Sequence, residues 1–232
     1  MSLLTVGDAN PKTAKSAKLG YLTAVLHLAP GDLSGYTTCP LETSHTCREG
    51  CLNKAGRGGI VRKGETTNPI QEARIKRTRW FFEEREAFMR QLVKEISAHI
   101  RKATRYGLTP CIRLNGTSDI AWEKIRVAGF RNIMEAFPNV QFYDYTKIPG
   151  RTTPENYFLT FSRSASNEAY AFDQGRNVSV VFGDAFPSEY HGLPVIDGDD
   201  HDLRFLDPKG CVVGLKAKGP AKKDASGFVV RS

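Results

Sequence analysis

The 232 residues contain no run of 18 apolar positions, which excludes an ordinary membrane-spanning helix. The most apolar early stretch, residues 21–28, is far shorter and carries His27. The first 20 residues hold Asp8, Lys12, Lys15 and Lys18 and lack the apolar core of an export signal, so the chain is expected to stay in the compartment where it is made, the cytoplasm. Five cysteines, an odd number without an export signal, argue against a disulfide framework. The glycine-rich stretch 56–64 lacks the order of a phosphate-binding Walker loop, and the acidic stretch 197–202 lacks the spacing of a calcium-binding EF-hand. Ser162 and Ser164 lack the flanking glycines of an esterase nucleophile elbow.

What is present is basic and globular. Apolar residues make up 40% and charged residues 25%, which excludes wholesale disorder. Thirty-three basic against 25 acidic residues leave a net charge of +8. From Gln71 to Arg105, ten Lys or Arg face five Glu, so much of the surplus sits on one segment. That segment reads either as a solvated helix face or as a surface for nucleic-acid phosphates, joined in the second case by Lys216, Lys218, Lys222 and Lys223.

Residues 1–18 read as a flexible basic arm and 19–232 as one α/β domain. The stretch 20–29 is a buried strand, followed by 33–68 without any clear period. Asn68, Pro69 and Gln71 carry the marks of a helix start, and Gly107 of its stop. Phe81, Phe88, Leu92, Ile96 and Ile100 form one apolar stripe, in a segment long enough to kink or divide. Strands are expected at 110–115, 140–146, 157–162, 178–182 and 211–216, with helices near 121–136 and 166–173. Strands separated by helices or long returns pair in parallel. The expected fold is a parallel βα barrel, complete or incomplete and TIM-like, with a cysteine-bearing loop after its first strand. A doubly wound open sheet is the alternative.

Polar residues cluster after strands: Asn115 to Asp119, Tyr145 to Lys147, Ser162 to Ser164, and Gly183-Asp184. The carboxyl ends of parallel strands form the usual active-site face. The cysteine segment shares this address, with Cys39, Cys47 and Cys51 separated by seven and three residues. Three thiolates on one loop call for a soft cation. Zinc sites favour closely spaced pairs, whereas three cysteines on one loop suit a [4Fe–4S] cluster with an open iron or a non-cysteine fourth ligand. Three unrelated thiols are the bland reading. Cys111 and Cys211 begin their strands, at the opposite end of the sheet. His45 reads as a solvent-facing loop residue. The acidic loop, Asp197 to Asp202 around His201, reads as a solvated turn or as a proton source beside the cluster.

Cys39-Pro with Cys47 and Cys51, Arg113-Leu-Asn-Gly-Thr-Ser-Asp119, Tyr143-Asp-Tyr-Thr-Lys147 and Gly214-Leu-Lys-Ala-Lys-Gly219 together resemble the mycobacteriophage gene-product-88-like proteins over about residues 20–230. The resemblance implies a phage origin and a metal or iron–sulfur site. The cysteine loop after a first strand is also distantly similar to radical S-adenosylmethionine enzymes, although the spacing here is wider. That likeness makes S-adenosylmethionine a second possible cofactor. The expected function is a redox enzyme, with Cys39, Cys47 and Cys51 binding the cluster. Asp119, Lys147, Arg163 and His201 would line the pocket, and the partner would be a small substrate or reductant, or protons reduced to hydrogen. The rival is a nucleic-acid-binding phage factor that contacts DNA through helix 71–105 and holds a structural cluster or zinc.

Overall fold

The computed structural model describes residues 1–7, 11–41, 51–54 and 56–231. Its strands are β1 (Leu4–Val6), β2 (Tyr21–Leu26), β3 (Thr109–Arg113), β4 (Gln141–Thr146), β5 (Tyr157–Ser162), β6 (Val178–Phe182), β7 (Glu189–Tyr190), β8 (Leu193–Asp197), β9 (Val212–Lys216) and β10 (Val229–Val230). Its helices are α1 (Pro11–Lys18), α2 (Pro69–Glu83), α3 (Arg85–Arg105), α4 (Ile133–Ala136) and α5 (Glu168–Ala171). The strands form one sheet in the order β1-β2-β3-β4-β5-β6-β9-β8-β7, with β10 on β6. β2 to β6, β9 and β8 run parallel, whereas β1 and β7 are antiparallel to their neighbours.

The expected barrel does not form. The sheet is open, with β1 at one end and β7 at the other. A barrel with an outer ring needs a covering helix after most strands. Among the described residues only the β2–β3 crossover carries long helices, while α4 and α5 have four residues each. The stretch near 121–136 is a 3-10 turn (Trp122–Lys124) followed by α4, not one helix. The sheet is open, as in the doubly wound alternative, but β2 to β6 succeed one another in sequence order without that fold's central reversal. Of the expected basic arm, residues 4–6 pair with β2 and 11–18 are helical.

The long helical segment divides at Glu84, which caps α2 and opens α3. Arg85 donates to the Phe81 carbonyl at 2.7 Å and lays its guanidinium over the Phe81 ring. The apolar stripe then turns onto the sheet. Phe81, Phe88, Leu92 and Ile96 are buried against Leu26, Ile112, Phe142 and Leu159. Strand alternation sends the other side chains to the opposite face. There Cys111, Tyr143 and Leu203 are buried together, with Tyr21, Phe158 and Phe205 packed around them. The connection between β8 and β9 therefore covers this face.

The C-terminal segment is built into the sheet. β5 pairs with only the first two residues of β6, and β10 takes Val181 and Phe182 beyond them. The Gly183 amide then donates to the Val230 carbonyl at 2.9 Å.

Gly116 marks the tightest approach between the β2 and β3 ends. A Cβ there would lie 2.8 Å from the Leu26 carbonyl oxygen and 2.7 Å from both Val25 Cγ1 and His27 Cδ2. Gly116→Ala is therefore expected to cost about 1–3 kcal/mol through overpacking. Urea unfolding checks this: an unchanged midpoint would show that the two strand ends yield freely.

Candidate functional site

The cysteine segment is held by a polar stripe on α2. Asn68 caps the helix, its Oδ1 accepting from the Ile70 and Gln71 amides at 3.0 and 2.9 Å. Its Nδ2 donates to the Gly58 and Ile60 carbonyls, both at 2.9 Å. One turn on, Gln71 Nε2 donates to the Gly58 carbonyl at 2.7 Å. The next turn brings Arg74 Nη1 onto Asn53 Oδ1. Thr78 Oγ1 then accepts from the Ala29 amide at 2.8 Å. Steps of three, three and four residues place all four on one helix face. The glycine-rich stretch is close-packed rather than cradle-like: a Cβ on Gly59 would meet the Lys54 carbonyl oxygen at 2.2 Å.

Cys39 and Cys51 both lie in the segment that this stripe holds. Thr38 donates through Oγ1 to the Ala29 carbonyl at 2.6 Å and accepts at its own carbonyl from the Asp119 amide at 2.9 Å. The segment is thereby bound to the ends of β2 and β3. Cys39 and Cys51 are half-buried and neither is in a disulfide. Burial pushes the Cys39 thiol up to about 12, and the charges of Asp119 and Cys51 add to the effect. The two thiols are thus within electrostatic reach of each other. The Asn53 amide points at Cys51 Sγ, 3.5 Å away. Cys47 and His45 lie outside the described residues. Among the described residues no three His, Cys, Asp or Glu side chains are grouped to hold a metal ion. The other two cysteines are buried elsewhere. Cys111 sits 3.2 Å from Thr23 Oγ1, and Cys211, just before β9, donates to the Pro208 carbonyl at 3.1 Å.

The remaining candidates divide between two neighbourhoods. Asp119 accepts from Thr146 Oγ1 at 2.8 Å and from the Lys147 amide at 2.7 Å, with Arg151 at 3.4 Å. Burial raises its carboxyl despite these donors. Lys147 Nζ donates to Ser162 Oγ at 2.6 Å and lies 5.4 Å from the Phe228 ring centre. Arg163 donates to the Gly227 carbonyl at 2.6 Å and pairs with Glu168, so it clamps the C-terminal segment. His201 Nδ1 accepts from the Leu203 amide at 3.2 Å, which leaves the neutral ring's proton on Nε2. Around it, Asp202 pairs with Arg113 at 2.7 Å, and Asp199 accepts from the Lys216 amide at 3.0 Å and from Lys218 Nζ at 2.7 Å. The acidic loop therefore closes over the ends of β3 and β9.

Several cations of the basic helix segment are engaged by the chain itself. Half-buried Arg77 donates through Nε to the Ser2 carbonyl at 2.9 Å, and exposed Arg79 through Nε to the Ser34 carbonyl at 3.1 Å. Lys76, Lys94 and Arg101 remain exposed.

A family model described as gene product 88 matches residues 2–232. The chain belongs to the gene product 88 family. This is a phage-type family, in keeping with the motifs around Cys39, Arg113, Tyr143 and Gly214. No curated protein and no solved structure matches this member of the family. None of its described helices is long and apolar enough to cross a membrane.

His27 is the site residue that motif reading passes over in this gene product 88 chain. It continues the Tyr21, Thr23, Val25 face one step past β2, at the strand end where polar residues gather. Burial, then Arg74, Arg113 and Arg77, bring its imidazole from 6.5 down to about 3. The unfolded chain takes up a proton below 6.5 that the native imidazole refuses, so this group's contribution to stability is lost as pH falls from 6.5 toward 3. His27→Gln is expected to flatten that part of the profile. Urea midpoints at about pH 7 and about pH 5 measure it, and an equal acid loss in both proteins would assign the slope to other groups.

Proposed function

We propose that the chain is an iron–sulfur redox enzyme of phage type, with a [4Fe–4S] cluster on Cys39, Cys47 and Cys51 at the carboxyl ends of the strands. The observation that carries this reading is the tethering of Cys39 and Cys51 to one end of the sheet, Thr38 bonding to Ala29 and Asp119, and Asn53 to Arg74 of α2. Twelve positions apart in sequence, the two cysteines stand half-buried and within electrostatic reach, while Cys111 and Cys211 are engaged elsewhere. A desolvated thiol such as Cys39 is a poor thiolate unless a cation offsets its charge, and this donor set fits a soft metal centre. Bound there, an iron–sulfur cluster supplies one-electron transfer and, at an iron without a cysteine, a place for a small substrate.

The chain's own groups do the holding. Thr38 and Asp119 fix Cys39 against the β3 end, and the Asn53 amide faces the Cys51 sulfur. Lys147 presents its ammonium where β4 and β5 end. Arg163 and His201 stabilise the surrounding loops through the bonds they make to the chain itself. The engagement of half-buried Arg74 and Arg77 with the chain itself favours this reading over a phosphate-binding helix.

Protein prepared without oxygen is expected to be brown, with about four irons and four sulfides per chain. Serine at position 39, 47 or 51 should strip or convert the cluster. Cys111→Ser and Cys211→Ser should keep the iron near wild type and cost packing stability alone. A colourless protein with one tightly held zinc would replace the redox reading by a structural metal site. Equal iron loss from Cys111→Ser would mean a closed four-cysteine centre instead.

A further inference from the structure

Three thiolates leave a [4Fe–4S] centre with net negative charge, and reduction deepens it, so nearby fixed charge sets its potential. The charges of three arginines reach His27 at this end of the sheet: Arg74, Arg77 and Arg113. Two of them have carboxylate partners. Arg113 is 2.7 Å from Asp202 and 3.8 Å from Asp144, and Arg77 feels the charge of Glu95. Arg74 differs. Its Nη1 donates to a neutral amide, Asn53 Oδ1, and its buried Nε has no acceptor among the described residues. Burial works against its charge, and a thiolate at Cys51 would work for it. Asn53 joins the two, taking the guanidinium at its side chain and turning its backbone amide toward the sulfur. A guanidinium drawn this far out of water without a carboxylate is unfavourable unless another anion offsets it.

We propose that Arg74 is the built-in counter-charge of the cluster, a positioning residue that raises its reduction potential from beside Cys51. The claim rests on the iron–sulfur reading above. Removing the cation should disfavour the reduced, more negative state. One unit charge acting through half-buried surroundings changes such an equilibrium by about tenfold.

The experiment is anaerobic potentiometry on cluster-loaded wild type, Arg74→Gln, Arg74→Lys and Asn53→Asp, with iron, sulfide and thermal melts on each. Gln keeps a neutral donor on a shorter side chain and carries no charge. Its ratio of reduced to oxidised cluster at a fixed potential should fall about tenfold, a midpoint lower by about 59 mV. Lys keeps the charge and loses the fork, so its midpoint should stay near wild type. Asn53→Asp keeps the acceptor, adds a neutralising carboxylate and leaves α2 untouched, so it should move the midpoint in the same direction as Gln. A fully loaded Gln variant with the wild-type midpoint overturns the proposal, as does a Lys variant shifted as far as Gln. If the Gln variant does not fold, an unmoved midpoint in Asn53→Asp overturns it. Wild type without iron and sulfide overturns the iron–sulfur reading and this proposal together, whereas a loaded wild type with unmoved variants overturns this one alone.

Discussion

Everything at the carboxyl ends of the strands depends on the polar stripe of α2. The segment between β2 and α2 has little ladder of its own, so its backbone groups need partners elsewhere. Asn68, Gln71, Arg74 and Thr78 supply them, reaching Gly58, Ile60, Asn53 and Ala29. Each such bond is worth roughly 1 kcal/mol net, but an orphaned buried partner costs more, and that asymmetry ties the segment to one position. The stripe can do this because the opposite side of the helix pair is anchored by Phe81, Phe88, Leu92 and Ile96 against the sheet. An apolar face fixes the helix, and the fixed helix then fixes the loop.

The other face of the sheet shows the same economy with charge. Arg113 points away from the helices and is almost wholly enclosed, between Asp202 and Asp144. Burial alone would favour a neutral Arg113, but the charge of Asp202 and then its neighbours reverse the direction. The partner comes from the β8–β9 connection, which also brings Leu203 and Phe205 onto Cys111 and Tyr143. One connection thus supplies both the apolar cover and the counter-charge, which explains how a sheet without a ring of helices keeps this face from water.

The strands were legible where β-branched and aromatic residues run together. β5 and β6 fall at 157–162 and 178–182 as the residues suggest. The barrel was misread because it took helices for granted. The 121–136 stretch has apolar residues at helical intervals, but Gly129 sits at φ +80°, which no helix accommodates. β10 has two residues and no pattern of its own; only the gap that β5 leaves beside β6 gives it a place. At the site, the rule that polar residues follow strands led to Asp119, Lys147 and Arg163. The same rule points to His27, which a run of apolar neighbours concealed. Charge counting leaves Arg74 on a solvated or a phosphate-binding helix face, because composition does not distinguish a face turned outward from one turned to a loop.

That last distinction bears on what the cysteine segment can hold. The amino end of a helix carries a partial positive charge, and that of α2 is capped by Asn68 directly beneath Gly58 and Ile60. Two turns further on, Arg74 faces the same segment. Helix end and guanidinium therefore act in the same sense on residues 51–60, and the acidic groups in the acidic loop are turned toward Arg113, Lys216 and Lys218 instead. An electropositive floor of this kind favours negative charge in what faces it, and it disfavours a bare divalent cation held by neutral donors. The proposed three-thiolate centre would meet that condition, because the chain's own thiolates would outweigh the positive charge of the metal core, and a simple cation site would not.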